Sequence, residues 1–239
     1  MHVLITGGAS GLGYAITRRF AAAGDYKIYF TFNKASEKAA QIEREFSCTE
    51  GIACDFTDPK SLDHLLGRMS EMNLDILINN ALTGMRTKHF HQSDPADFLA
   101  SFGDNVLPTL RITQRAIKEF RKNKCGRIIT VLTSYLANSP PVGLSEYVAN
   151  KAYLLSLSRS WAVENARFNI TSNCISPSMM QTSLTSNLDE RQIEDIKNSS
   201  PLKRLLTPEE VADAIFFLAQ ASQHINGVNL LVNGGVNVI

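Results

Sequence analysis

Seven short apolar runs, rich in β-branched residues, alternate along the 239-residue chain with longer segments of helical periodicity. This alternation is typical of a parallel β-sheet that is covered by helices on both faces. The runs are HVLIT (2–6), YKIYFTF (26–32), GIACD (51–55), DILIN (75–79), GRIITVL (126–132), NITSNCI (169–175) and NLLVN (229–233). The apolar spacing predicts helices at about 12–23, 36–46, 58–71, 95–122, 147–166 and 208–220. The expected fold class is therefore α/β.

No linker, repeat or low-complexity tract breaks this alternation. We therefore expect one doubly wound domain over residues 1–239, with a mostly parallel sheet of seven strands. In such sheets the ligand binds beyond the carboxyl ends of the strands. A motif that takes part in function should then follow directly after a strand.

The charge balance argues against several classes of function. The chain carries 24 basic and 23 acidic residues, so its formal net charge of +1 would not recruit nucleic acid or an anionic membrane. A glycine turn follows within seven residues of Met1, which leaves no room for a signal peptide, and no apolar run reaches membrane-spanning length. We therefore expect a cytoplasmic protein. The cysteines and histidines show no metal-ligand spacing, so no metal site is expected.

A glycine-rich turn, TGGASGLG (6–13), lies between the first apolar run and a helical segment. Glycines tolerate positive φ and let the backbone approach a pyrophosphate, while a helix N-terminus supplies free N–H groups and the positive end of a dipole. Gly7, Gly11 and Gly13 suit these roles. Because a strand precedes the turn and a helix follows it, the turn predicts a dinucleotide site of Rossmann type.

The spacing TGxxxGxG of this turn is the first of an ordered set of motifs. The set continues with Asp55 in CDFTD, NNA at 79–81, Ser134, YVANK at 147–151 and ISPSMMQT at 175–182. Together these motifs resemble the short-chain dehydrogenase/reductase family over nearly the full chain. The segments PLKRLLTPEEVADAIFFLA and FTFNKASEKA are similar to those of 3-oxoacyl-[acyl-carrier-protein] reductases. The resemblance implies an NAD(P)-dependent oxidoreductase that reduces a ketone to a secondary alcohol by hydride transfer.

The resemblance assigns cofactor contacts to residues in each of these motifs. They are Gly7, Ser10, Gly11, Leu12, Gly13, Asp55, Phe56, Asn79, Asn80, Ala81, Tyr147, Lys151, Pro177, Met180 and Thr182. Two more contacts, Asn33 and Lys34, follow the second strand, where an acid would bond the ribose 2′-hydroxyl of NAD(H). A lysine in that place favours a 2′-phosphate, so NADP(H) is the preferred cofactor and NAD(H) is the alternative.

Tyr147 and Lys151 stand four residues apart at the start of a predicted helix, so their side chains lie on one face. A ketone that accepts a hydride becomes an alkoxide and needs a proton, yet a free tyrosine with a pKa of about 10 holds its proton tightly. A cation nearby favours the phenolate and is expected to lower the pKa of Tyr147. By resemblance, Lys151 also bonds the nicotinamide ribose.

Two further residues complete the expected catalytic set. Ser134 lies 13 residues before Tyr147, which is the family spacing for the hydroxyl that holds the substrate oxygen. Counting forward from Gly126 selects Thr133 instead, but we prefer Ser134. Asn105 matches the family asparagine that holds a water in a proton relay, and Pro108 predicts a helix interruption near it.

The expected substrate is a 3-oxoacyl thioester, and the segment 182–205 corresponds to the mobile substrate lid of the family. The alternatives are a sugar, polyol or secondary-metabolite ketone, or a non-catalytic nucleotide-binding regulator on the same fold. An acidic acyl carrier protein would dock on basic residues, although a solvated basic face is the competing interpretation. Those residues are Lys122, Lys124, Arg127 and Arg167. By resemblance, the helices at about 108–122 and 147–166 pair copies into a homodimer or homotetramer.

Overall fold

The computed structural model describes residues 1–137, 139–180 and 190–236. Its strands are β1 (His2–Ile5), β2 (Lys27–Phe32), β3 (Thr49–Ala53), β4 (Ile76–Asn79), β5 (Gly126–Val131), β6 (Ile170–Pro177) and β7 (Asn229–Val232). Neighbouring strands pair in parallel in the order β3-β2-β1-β4-β5-β6-β7. The predicted α/β class is confirmed, and the sheet, expected to be mostly parallel, has only parallel pairs among these strands.

Helices follow most of the strands in the described part of the chain. They are α1 (Gly11–Ala21), α2 (Ser36–Glu45), α3 (Pro59–Arg68), α4 (Pro95–Asn123), α5 (Ser145–Asn165), α6 (Glu190–Ser199) and α7 (Pro208–Gln220), with single 3₁₀ turns at Phe90–Gln92, Ser134–Leu136 and Ala166–Phe168. Of the predicted lid at 182–205, residues 182–189 lie outside the described residues, and the rest is α6 and the turn after it. None of the helices in the described ranges is long and apolar enough to cross a membrane.

Polar residues cap the helices at the positions where the sequence changes from strand to helix. The Asp58 carboxylate accepts hydrogen bonds from the N–H groups of Lys60 and Ser61 at the start of α3. Thr207 and Glu210 form a reciprocal capping box at the start of α7, with Pro208 in the first turn. Such side chains satisfy N–H groups that have no partner within the helix, so they set where each helix begins.

Both faces of the sheet are buried, which explains why its strands appear in the sequence as nearly continuous apolar runs. Val3 and Ile5 point to one face and pack in a cluster with Phe20 of α1. Leu4, between them, points to the opposite face and packs in a cluster with Phe120 of α4. The alternation of side chains along a strand therefore divides the core into two layers.

The strand order reverses beside β1, which pairs with β2 on one side and with β4 on the other. The connections from β1 and from β4 therefore leave in opposite directions and open a crevice at the carboxyl ends of these strands. This is the place where doubly wound sheets bind their ligands.

Helix α4 continues through Pro108 from Pro95 to Asn123, so the predicted interruption does not occur. Proline has no N–H, and the Asp104 carbonyl therefore lacks its usual donor four residues on. The Thr83 hydroxyl lies 3.3 Å from this carbonyl oxygen and takes the place of that donor. A side chain from outside the helix thus compensates for the missing hydrogen bond.

We predict that Thr207→Ala lowers the free energy of unfolding by about 1 kcal/mol, because it removes the hydroxyl that caps α7. Urea unfolding followed by circular dichroism measures this change. The matched control is Thr207→Ser, which keeps the hydroxyl and should stay within about 0.5 kcal/mol of the wild type. Equal losses in both variants would contradict a capping role.

Candidate active site

The turn between β1 and α1 brings backbone very close to backbone. Gly7 and Gly11 have φ values of +68° and +51°, which favour glycine. A Cβ at position 13 would lie 2.0 Å from the Gly7 carbonyl oxygen, so only glycine fits there. Ser10 is the N-cap of α1 and makes no side-chain capping bond, which leaves the first N–H groups of the helix to a ligand. The turn therefore fits a phosphate group.

A cleft of about 720 Å³ runs from this turn to α5 across the carboxyl edge of the sheet. This volume lies within the range of about 300–1,000 Å³ that is usual for ligand pockets. Predicted cofactor residues line it, namely Gly7, Ser10, Gly11, Leu12, Gly13, Asn33, Lys34, Asp55, Phe56, Asn80, Ala81, Tyr147, Lys151, Pro177 and Met180. The structure thus brings together residues that are far apart in the sequence.

Two predicted cofactor residues are not among the described residues that line this cleft. Asn79 is buried, and its Nδ2 donates to the Thr113 hydroxyl at 3.0 Å, so it bridges β4 and α4 behind the cleft. The prediction of a direct cofactor contact at Asn79 therefore has no support from its position. Thr182 lies outside the described residues.

Tyr147 and Lys151 occupy one face of α5, with the Lys151 Nζ 5.8 Å from the centroid of the Tyr147 ring. The ammonium is buried and donates to the Val131 carbonyl at 2.8 Å, so the end of β5 holds it in place. Burial lowers the pKa of Lys151 to about 8. Lys151 is thus a cation that titrates close to neutrality.

Burial raises the pKa of Tyr147 to about 12, and a hydrogen bond with the Thr133 side chain acts in the opposite direction. The expected lowering by Lys151 is therefore wrong for this geometry. The sequence shows the neighbouring cation but not the loss of water around the phenol, which is the largest cause of the shift. A phenol that keeps its proton near neutrality is a proton donor rather than a base.

Of the two candidate side chains, Thr133 is the one that acts on the pKa of Tyr147, which it lowers. Thr133 has an extended backbone and lines the cleft at the end of β5. Ser134 begins the 3₁₀ turn Ser134–Leu136, is buried, and is not among the described residues that line the cleft. The preference for Ser134 is thus not supported, because one extra residue between β5 and Tyr147 shifts the count made backward from the tyrosine.

Asn105 lies on α4 beside a small cavity of about 20 Å³ that also touches Lys151 and Asn79. This is room for about one water molecule. The Oδ1 of Asn79 is buried there without a hydrogen-bond partner, as a water site would require. The Asn105 side chain is held by Thr83, whose N–H donates to its Oδ1 at 2.9 Å. The structure thus brings Asn105 and Lys151 to one polar cavity.

The far side of the cleft is lined by residues that the sequence did not single out. They are Leu82, Thr83, Met85, Tyr135, Leu144, Ser178 and Met179. Most are apolar, and they come from loops between β4 and α4, between β5 and α5, and after β6. Loop residues carry no periodicity, so only their position just after strands pointed to them.

Solved structures share this fold over almost the whole chain. A proposed gluconate dehydrogenase from Agrobacterium tumefaciens is 28% identical with a TM-score of 0.90 and covers 100% of this chain and 96% of its own. A short chain dehydrogenase from Burkholderia cenocepacia, in complex with NADP, is 26% identical with a TM-score of 0.88 and covers 99% and 97%. A 3-ketoacyl-(acyl-carrier-protein) reductase from Brucella melitensis, complexed with NADH, is 28% identical with a TM-score of 0.88 and covers 99% and 98%.

Sequence relatives agree with these structures. A family model described as enoyl-(acyl carrier protein) reductase matches residues 7–237. The 3-oxoacyl-[acyl-carrier-protein] reductase MabA of Mycobacterium tuberculosis is 31% identical over 241 residues, which cover 99% of this chain and 92% of that protein. The corresponding reductase FabG of Rickettsia conorii is 33% identical over 239 residues, covering 99% and 96%. The chain belongs to the short-chain dehydrogenase/reductase family.

As a member of the short-chain dehydrogenase/reductase family, the protein is an NAD(P)-dependent oxidoreductase. The cleft fits a dinucleotide in three respects. The glycine turn fits a phosphate, Asp55 and Phe56 follow β3, and Lys151 lies beside Tyr147 on α5. The polar groups for binding and for proton transfer are therefore in one continuous space.

We predict that Thr133→Val lowers kcat/KM for ketone reduction by about 100-fold, because valine keeps the shape of threonine but cannot donate to the substrate oxygen. Steady-state rates of cofactor oxidation measure this change. Ser134→Ala is the matched control and should remain within about threefold of the wild type, since Ser134 does not reach the cleft. Thr133→Ser should restore most of the activity, and a larger loss in Ser134→Ala would contradict the assignment.

Proposed function

We propose that this enzyme uses NADPH to reduce the ketone of a 3-oxoacyl thioester to a secondary alcohol. The observation that carries the proposal is that one cleft brings together Thr133, Tyr147 and the buried Lys151, whose ammonium donates to the Val131 carbonyl at 2.8 Å. Relatives named 3-oxoacyl-[acyl-carrier-protein] reductases, 31% and 33% identical over 99% of the chain, support the substrate class.

Each group has a distinct task in the proposed reaction. The nicotinamide supplies the hydride when it is bound. Thr133 and Tyr147 donate hydrogen bonds to the ketone oxygen, and Tyr147 gives its proton to that oxygen as the negative charge develops. Lys151 binds the nicotinamide ribose and stabilises the phenolate that remains. The cavity at Asn105 holds the water through which the phenol regains a proton.

The preference for NADPH is proposed from the residues that follow β2. These are Asn33, Lys34 and Ala35, and the first two line the cleft without an acid between them. Beside them, after the neighbouring strand β3, hydrogen bonds from Thr57 hold the pKa of Asp55 below its ordinary value, with smaller contributions from Asn33 and Lys34. Asp55 is thus an anion already engaged by its neighbours, and Lys34 remains the nearest cation for a 2′-phosphate.

We predict that Lys34→Ala raises KM for NADPH about fivefold and changes KM for NADH less than twofold. The loss is modest because Lys34 is exposed and water screens its charge. The measurement is the pair of KM values with a saturating ketone. Lys60→Ala on α3, which removes an equally exposed lysine outside the cleft, is the control. An equal effect on both cofactors would show that Lys34 does not select the phosphate.

The apolar far side of the cleft favours an acyl substrate over a polyol. Leu82, Met85, Leu144 and Met179 offer few hydrogen-bond partners to a sugar, whereas they match a hydrocarbon chain. The alternative is a sugar or polyol substrate, which the likeness to a proposed gluconate dehydrogenase favours. A second alternative is reduction of a carbon–carbon double bond, because the matching family model is described as an enoyl reductase.

The decisive assay offers acetoacetyl and crotonyl thioesters with NADPH, and gluconate with NADP⁺, to the same preparation. We predict NADPH oxidation with the acetoacetyl thioester, and a fall of at least about 100-fold in Tyr147→Phe, because the variant cannot donate the proton. NADPH binding, followed by its fluorescence, should be unchanged in that variant. Activity on crotonyl thioester alone would favour the enoyl reductase, and activity on gluconate alone would favour the polyol dehydrogenase.

We further propose a homo-oligomer that forms through α4 and α5. Helix α5 buries Leu154 and Trp161 against the rest of the protein, yet Tyr153 and Val163 on its other side are exposed, as is Leu107 on α4. Apolar residues on both sides of a helix indicate a second packing partner. The basic residues expected to dock a carrier protein lie at the opposite end of the sheet from Tyr147, because Lys122 is in the last turn of α4 and Arg127 is the second residue of β5.

A further inference from the structure

Tyr135 is a second tyrosine in the active-site cleft, and the proposed reaction has not used it. It lies in the 3₁₀ turn Ser134–Leu136 and lines the cleft with Thr133 and Tyr147. Its backbone N–H donates to the Thr133 hydroxyl oxygen at 3.4 Å, which ties the turn to the catalytic hydroxyl. Within residues 1–137, 139–180 and 190–236, its own hydroxyl has no hydrogen-bond partner.

Tyr135 lies in the same cleft as the residues that the proposed reaction uses at the ketone oxygen. The Val131 carbonyl holds Lys151, and Thr133, Tyr135 and Tyr147 all line the cleft. The phenol of Tyr135 therefore faces the space that the proposed proton donor faces.

The two phenols are close enough to interact. The charge that Tyr135 would carry raises the pKa of Tyr147, after the larger effect of burial. Burial also raises the pKa of Tyr135 itself, so this phenol keeps its proton at neutral pH. Tyr135 is therefore a hydrogen-bond donor that stands beside the proton donor and faces the same space.

We propose that the Tyr135 hydroxyl binds the second oxygen of a 1,3-dicarbonyl substrate, namely the thioester carbonyl of a 3-oxoacyl group. Thr133 and Tyr147 would hold the ketone oxygen, and Tyr135 would hold the oxygen one carbon further along. This inference rests on the proposed function and adds a reason for its selectivity. A donor for the second carbonyl presents the ketone, and not the thioester, to the proton donor.

The apolar residues of the cleft leave this second oxygen in need of a donor. Leu82, Met85 and Leu144 line the same cleft and offer no side-chain hydrogen bond, and the Thr83 hydroxyl already donates to the Asn105 Oδ1 at 2.7 Å. A carbonyl moved from water to such a surface loses its hydrogen bonds unless a protein donor replaces them. Tyr135 supplies that donor for a 1,3-dicarbonyl, and a simple ketone does not use it.

The test compares two substrates in wild type and in Tyr135→Phe, which keeps the ring and removes only the hydroxyl. One substrate is an acetoacetyl thioester of N-acetylcysteamine. The other is the analogous thioether, in which a methylene replaces the thioester carbonyl. For Tyr135→Phe we expect KM for the thioester to rise about tenfold with kcat within about twofold, while both constants for the thioether stay unchanged.

The control is Tyr29→Phe in β2, away from the residues that line the cleft, which should leave kcat and KM for both substrates unchanged. Thermal melting of the variants verifies that the fold is intact. Equal losses on both substrates in Tyr135→Phe would overturn the inference and leave a packing role for the tyrosine. No change on either substrate would overturn it as well.

The same data separate this inference from the proposed function. If the wild type reduces the thioester and Tyr135→Phe keeps its preference for it, only the role of Tyr135 is wrong. If the wild type reduces the thioether but not the thioester, the 3-oxoacyl function is wrong and the inference falls with it.

Discussion

The hydrogen bonds of the Thr6 side chain join the two halves of the fold, and the active site depends on them. The Thr6 hydroxyl accepts from the N–H groups of Asn80 and Ala81 at 2.9 and 3.0 Å, while the Asn80 amide donates back to the Thr6 carbonyl at 2.9 Å. These bonds begin where β1 and β4 end and the backbone ladder stops. They hold the glycine turn against the segment that follows β4, and so fix the backbone at the bottom of the cleft.

A second set of contacts positions the side chains of Lys151 and Tyr147 in the cleft. Strand β5 ends beside the first turns of α5, and its last residues meet Lys151 and Tyr147 in turn. The lysine side chain is buried against a carbonyl, and the tyrosine is partly buried. Electrostatic interactions are stronger in such surroundings than in water, which allows a few donors to stabilise the charge that develops on the substrate oxygen. The packing of α5 against the end of β5 thus both positions these two side chains and shields them from water.

The sequence predicted the sheet well and the site unevenly, for physical reasons. Runs such as GRIITVL contain strands because both faces of a parallel sheet are buried, and the cleft follows from strand order. Thr133 lines the cleft, and apolar periodicity does not distinguish it from the adjacent hydroxyl residue Ser134. Pro108 predicted a helix interruption that does not occur, because Thr83, from another segment, supplies a donor in place of the missing proline N–H. The pKa of Tyr147 depends on burial, which no local pattern shows.

The cleft has two parts that are built from different kinds of structural element. The cofactor part is built from backbone turns and strand ends, which every doubly wound sheet of this kind supplies at the same places. The substrate part is built from loops, and two of them are tied together where the Lys88 N–H donates to the Gly143 carbonyl at 3.0 Å. Relatives named for reductases of acyl carriers and for a gluconate dehydrogenase share the first part with this chain. Substrate choice must then depend on loop side chains. Tyr135 is such a side chain: it lies two residues after Thr133, and its hydroxyl has no hydrogen-bond partner among the described residues.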